Sequence, residues 1–113
     1  MHPETIKKRA DFIAAQAGER ASTPSFLLTR GVTPNPTGRL RVGFTVTRKI
    51  GKATVRNRIR RRLREAARRV FPVEGAAGFD YVLIARPAAE KRDFSLLLDD
   101  MKRALLRLNA PNH

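Results

Sequence analysis

The sequence predicts an α+β protein with elements in the order α-β-β-α-β-α. Three observations predict it. One stretch alternates apolar and polar residues with the period of a strand. One short run is wholly apolar, as in a strand buried on both faces. Two long stretches repeat apolar residues at helical spacing. A length of 113 residues suits one domain, and a 42% hydrophobic content supplies a packed core.

The first element is a short helix near 10–17 in "KKRADFIAAQAGER", with Asp11 in its first turn and Gly18 to end it. "SFLLTRGV" (25–32) is short and rich in strand formers. "TPNPTG" (33–38) then gathers two prolines, an Asn and a Gly, the composition of a loop or hairpin connection. Room for a further strand is left open before this proline loop. In "RLRVGFTVT", Leu40, Val42, Phe44 and Val46 alternate with Arg41, Gly43, Thr45 and Thr47, which predicts a half-buried strand. Its second face is polar and free of acids, suited to RNA or water.

"GKATVRNRIRRRLREAARRV" (51–70) follows, with Thr54 expected as N-cap. At 100° per residue, Val55, Ile59, Leu63, Ala66 and Val70 fall on one narrow stripe, while Arg58, Arg60, Arg61, Arg62, Arg64, Arg68 and Arg69 fan over the remaining surface with Asn57. Pro72 is expected to break the helix and begin a loop. "YVLIA" (81–85) reads as the buried strand and "RPAAEKR" as a connection. "DFSLLLDDMKRALLRL" closes the chain as a helix. Asp93 caps it, and Phe94, Leu97, Leu98, Met101, Leu105 and Leu108 form its apolar side.

Charge narrows the function. Twenty-four Lys and Arg against ten Asp and Glu give +14, which repels itself unless a polyanion is bound. Like charges at i, i+3 and i+4 cost a few tenths of a kcal/mol each, and the arginine helix carries many such pairs. Guanidinium forks match phosphate oxygens, and release of condensed counterions drives their binding to nucleic acid. Glu65, four residues from both Arg61 and Arg69, relieves the repulsion locally. Asn57 either caps the helix start or reads a base edge or ribose hydroxyl.

Protein-borne catalysis finds no support. Cysteine is absent, which removes disulfides and thiolate metal sites, and the two histidines, His2 and His113, stand at the termini. Asp99 and Asp100 are adjacent on a helix and point about 100° apart, so they read as a solvated face and not a metal site. Glu65 among arginines is held ionised, which suits pairing and not general acid work. No apolar run approaches the roughly 18 residues of a membrane span, and "MHPETIKKRADF" lacks the apolar region of a secretory signal. The expectation is a soluble, cytoplasmic, RNA-binding monomer with no membrane role. A basic helix lying on a membrane surface is the reading from a different class, and its narrow aliphatic stripe suits it poorly.

The residues resemble the bacterial ribonuclease P protein family. "VGFTVTRKI", "GKATVRNRIRRRLREA" and "DYVLIARP" stand in the family's order. Arg56-Asn57-Arg58 matches its RNR motif, and "KKRADF" matches its N-terminal basic run followed by Asp-Phe. The resemblance covers about residues 5–108 as a single RNA-binding domain. It implies a two-layer α/β sandwich like the second domain of ribosomal protein S5, with a left-handed β-α-β crossover where the general rule gives a right-handed one. It implies a protein subunit that assists removal of the 5′ leader from precursor tRNA, in a one-to-one complex with ribonuclease P RNA. In this family the RNA, with its magnesium ions, is the catalyst. Lys49, Lys52, Arg56, Asn57, Arg58, Arg60, Arg61, Arg62, Arg64 and Arg68 would face that RNA. Phe12, Lys8, Arg9, Thr45, Thr47 and Arg48 would line a leader cleft between the first helix and the sheet. Two positions depart: Gln16 and Thr29 stand where members often carry aromatics, which shifts leader contact from stacking toward charge. A general RNA-binding or ribosome-associated protein is the alternative.

Overall fold

A computed structural model describes residues 3–110. A five-stranded sheet carries helices on both faces. Its strands are β1 (Glu4–Thr5), β2 (Glu19–Ser22), β3 (Phe26–Arg30), β4 (Arg41–Thr45) and β5 (Asp80–Ala85). The helices are α1 (Arg9–Gln16), α2 (Ala53–Glu74) and α3 (Phe94–Asn109), with 3-10 turns at Arg48–Ile50 and Pro87–Glu90. The strand order is β1-β4-β5-β3-β2. β4 is parallel to β1 and β5, whereas β3 is antiparallel to β5 and β2.

The expected element types are all present, and two strands are added. β2 fills the room left before the proline loop, and β1 was not anticipated. The connection at 33–38 is a loop and not a hairpin, because β5 separates β3 from β4. The reason lies in β5 itself. A strand apolar on both faces loses most water exposure at the centre of a sheet, and Tyr81, Val82 and Leu83 are all fully buried there.

The α2 boundaries correct two expectations. The helix starts at Ala53 with Lys52 as N-cap and no side-chain cap, so Thr54 lies inside the first turn. Pro72 does not break it, because the helix runs on to Glu74. A proline this close to the end removes one intrahelical bond and leaves its ring exposed. Phe71 anchors the last turn, fully buried and edge-on to Tyr81 with ring centroids 5.2 Å apart. The Tyr81 hydroxyl then donates to Asn109 at the end of α3 and accepts from the Ala76 amide.

The main core lies between the sheet and the α2/α3 layer. Ile59, Leu63, Ala66, Leu97, Met101 and Leu105 pack on Phe26, Leu28, Val42 and Leu83. These are the helix stripes and strand alternation expected from sequence, widened by Ala67 and Phe71. At α3, Asp93 caps as expected by accepting from the Ser95 amide at 2.9 Å. On the other face α1 covers a smaller cluster of Ile6, Ala15 and Val82, with Phe12 and Ile84 packed against it.

That smaller cluster corrects the reading of β4. Its second face is not an open polar surface. Arg41 is buried there, and its guanidinium meets both Asp80 carboxylate oxygens at 2.7 Å and Asp11 at 3.3 Å. The Phe12 ring lies so close over Gly43 that a Cβ there would come within 2.5 Å of it. Thr45, at the end of the strand, is partly open, and Thr47 just beyond it is exposed.

Candidate nucleic-acid interface

The α2 stripe docks on the sheet and turns the arginines outward, as the periodicity requires. They are not equivalent. Asn57, Arg60, Arg61, Arg64, Glu65 and Arg68 surround one open concavity along the helix. Arg60 donates to the Asn57 side-chain oxygen at 3.3 Å, so Asn57 supports an arginine at this surface and does not cap the helix. Lys49 and Lys52 are exposed at the entry to α2, beside Thr47 and Arg48. Glu65 pairs with Arg68 and Arg69, not with Arg61. Arg68 and Arg69 together hold its carboxyl below the usual carboxylate range, which keeps it ionised as expected.

Other arginines of the motif are tied into the fold. Arg58 donates to Glu90 at 3.0 Å and joins α2 to the Pro87–Glu90 turn. Arg62 is half-buried and donates to the Arg92 carbonyl. Its guanidinium and that of Arg69 flank the Phe94 ring at 5.9 and 5.3 Å, while Arg64 stands 5.9 Å from Phe44. Arg56 is also half-buried, and its Nε lacks a partner. The concavity therefore presents Arg60, Arg61 and Arg64 with Asn57, and Arg68 in its pair with Glu65, and is extended by Lys49 and Lys52.

On the α1 face, Ile6, Lys7, Lys8, Arg9 and Phe12 line a shallow depression. Phe12 serves two roles by position: it packs against the small core and shows one part to this depression. Beyond α1 the sheet is uncovered. The paired row Thr45, Ile84, Leu27 and Ser22 crosses four strands. Thr45, Ile84 and Leu27 remain only half-buried although β5 and β3 are inner strands, and Ser22 is exposed. The row beneath α1, Gly43, Val82 and Thr29, is by contrast buried. Phe12 stands beside this open floor, packed with Ile84 against the same small cluster, and Ile13 on α1 is 53% exposed.

Sequence reasoning missed Ile84, Leu27 and Ser22, because their union depends on strand order and not on any local signal. Thr29 is fully buried under α1 and reaches no groove, whereas Gln16 is exposed. Asp100 also corrects the solvated-face reading. It is buried, bound by Arg92 at 2.6 and 3.0 Å and by the Ser25 hydroxyl at 2.9 Å, while Asp99 is exposed. Among the described residues no group of three or more His, Cys, Asp or Glu is placed to hold a metal ion. No helix among them is long and apolar enough to cross a membrane.

The chain is similar to known proteins over nearly its whole length. The Ribonuclease P family profile matches residues 2–109. The ribonuclease P protein component of Ruegeria pomeroyi is 46% identical over 108 residues, covering 94% of this chain and 86% of that protein. The Caulobacter vibrioides protein of the same name is 48% identical over 109 residues, covering 95% and 72%. Among solved structures, the RNase P protein from Thermotoga maritima aligns with a TM-score of 0.77 at 30% identity, covering 95% of this chain and 99% of that one. The Staphylococcus aureus RNase P protein gives 0.70 at 26% identity, covering 96% and 97%.

Proposed function

Because this chain belongs to the ribonuclease P protein family, as a subunit that associates with ribonuclease P RNA in tRNA processing, we propose that α2 grips the catalytic RNA and the open sheet floor holds the precursor's 5′ leader. The observation that carries this is the separation of two surfaces by one sheet. The arginines around the α2 concavity lie on one side and the half-buried apolar floor beside Phe12 on the other.

Each surface suits a different RNA. Arg60, Arg61, Arg64 and Arg68 offer forked donors to phosphates of a folded RNA, with Asn57 as the one neutral group able to meet a base edge or ribose. The floor offers apolar side chains and one aromatic to bases without pairing partners. Lys8, Arg9 and Arg48 supply charge along its margin, with Thr45 and Thr47 as hydroxyl donors. The protein thereby orients substrate against the RNA and leaves bond cleavage, with its magnesium ions, to the RNA. We place this assembly in the cytoplasm as one protein per RNA. The family finding does not favour a general RNA-binding role.

The test is Phe12→Ala in the assembled enzyme. Affinity for leader-bearing precursor should fall by about 5- to 150-fold, the range of one base–aromatic stack, with mature tRNA binding unchanged. Equal loss for both RNAs would make Phe12 a packing residue only and remove the leader from this floor.

A further inference from the structure

A second basic surface lies where β2, the sheet edge opposite β1, meets α3. Arg20 on β2 and Lys102, Arg103 and Arg107 on α3 are exposed, and none forms an ion pair among the described residues. The nearby acids are already occupied. Glu19 holds Arg30, and the buried Asp100 carboxylate is matched by Arg92 and Ser25. Only Asp99, exposed on α3, offsets this patch.

The patch surrounds a defined depression. Arg103 and Arg107 line it with Ser22, Thr23, Pro24 and the Asp100 already matched by Arg92 and Ser25, over a volume of about 230 Å³. Its corner is rigid. The Thr23 hydroxyl accepts from the Phe26 amide at 3.0 Å and donates to the Phe26 carbonyl at 2.8 Å. Arg86 donates to the Thr23 carbonyl at 2.7 Å. A binding surface held in place this way loses little freedom when occupied.

Ser22 joins the two surfaces. It ends the open row Thr45, Ile84, Leu27 and Ser22, and it also lines the Arg103/Arg107 depression. That row spans three interstrand steps, roughly 14 Å at 4.7–4.9 Å each. A strand of RNA crossing the floor therefore leaves the sheet at Ser22, with Arg20 on one side and Arg103 and Arg107 on the other. We infer that the β2–α3 edge is a second phosphate-binding surface that takes the backbone of single-stranded leader continuing beyond the floor, so that the protein responds to leader length. This rests on the floor being the leader site.

The test compares two precursors in the assembled enzyme, one with a leader just long enough to cross the floor and one twice as long. Arg103→Ser with Arg107→Ser should weaken binding of the long-leader precursor roughly tenfold at low salt. The same pair should lower the slope of log affinity against log salt by about 1.4, at about 0.7 per single-strand phosphate contact. The short-leader precursor should bind as before, and Arg20→Ser should show the same selectivity to a smaller degree. Equal effects on both precursors, or none on either, would overturn the inference while leaving the floor assignment intact. A short-leader precursor that binds no better than mature tRNA would instead sink the floor assignment, and this inference with it.

Discussion

Single residues decide whether the α1 face can work. Gly43 lets the Phe12 ring sit against β4, and a Cβ there would meet the ring at 2.5 Å. Gly43→Ala should therefore displace Phe12 from its seat. Overpacking of this kind costs about 1–3 kcal/mol. The variant should show that loss in denaturant unfolding and a weakened preference for leader-bearing precursor, without altered binding to ribonuclease P RNA. Arg41 is a different case. It is a buried cation between Asp80 and Asp11, and the Asp80 contact raises its pKa further. Arg41→Met leaves Asp80 buried without its partner and should cost about 3–5 kcal/mol by urea unfolding. A change below about 1 kcal/mol would show that Asn35, which also donates to Asp80 at 2.8 Å, suffices alone.

At the scale of elements, α2 divides its arginines between architecture and binding. Arg61 forms no ion pair among the described residues, whereas Arg58 bridges to Glu90. Arg61→Ala should lower the log–log salt slope for ribonuclease P RNA by about 0.7–0.9 with little change in melting temperature. Arg58→Ala should lower the melting temperature as well, by loosening α2 from the Pro87–Glu90 turn. Identical behaviour would erase the distinction. α3 supplies a pH test. Hydrogen bonds from the Ser95 hydroxyl and amide hold the Asp93 carboxyl below its ordinary 3.8. A depressed carboxyl contributes stability that is fully present above 3.8 and is lost as pH falls through the lower folded value. Asp93→Ala should thus melt earlier than the parent at neutral pH, and the two should converge in acid below that value.

The helices and the two apolar strands were legible because each buries a face with its own period. Val55, Ile59, Leu63 and Ala66 had only one way to align, and Asp93 before an apolar helix signalled its cap. The α2 boundaries were less legible. Lys52 has no cap chemistry to announce a start, and a proline near a helix end is tolerated for reasons of position. β1 left no sequence signal and β2 only room for a further strand, because two and four residues of mixed polarity carry no readable period. The arginine surface was visible as composition, yet which guanidiniums are free depends on Glu90, Arg92 and Phe94, far along the chain. The floor was invisible for the same reason, since it exists only once β5 lies between β4 and β3.

At the scale of the whole molecule, the acids are largely consumed inside the protein. Glu4, Asp11, Glu19, Glu65, Asp80, Glu90 and Asp100 each hold an arginine. The net +14 is consequently displayed as unmatched cations over α2, its entry turn and the β2–α3 edge, an arrangement stabilised only when a polyanion is bound. We propose that this display serves an RNA enzyme. Its most direct test is cleavage of a precursor tRNA by ribonuclease P RNA at low, near-physiological magnesium, with and without this protein. Strong stimulation with correct 5′ ends is expected. Tight RNA binding without stimulation would contradict it, and would leave the arginines as a general RNA-binding surface.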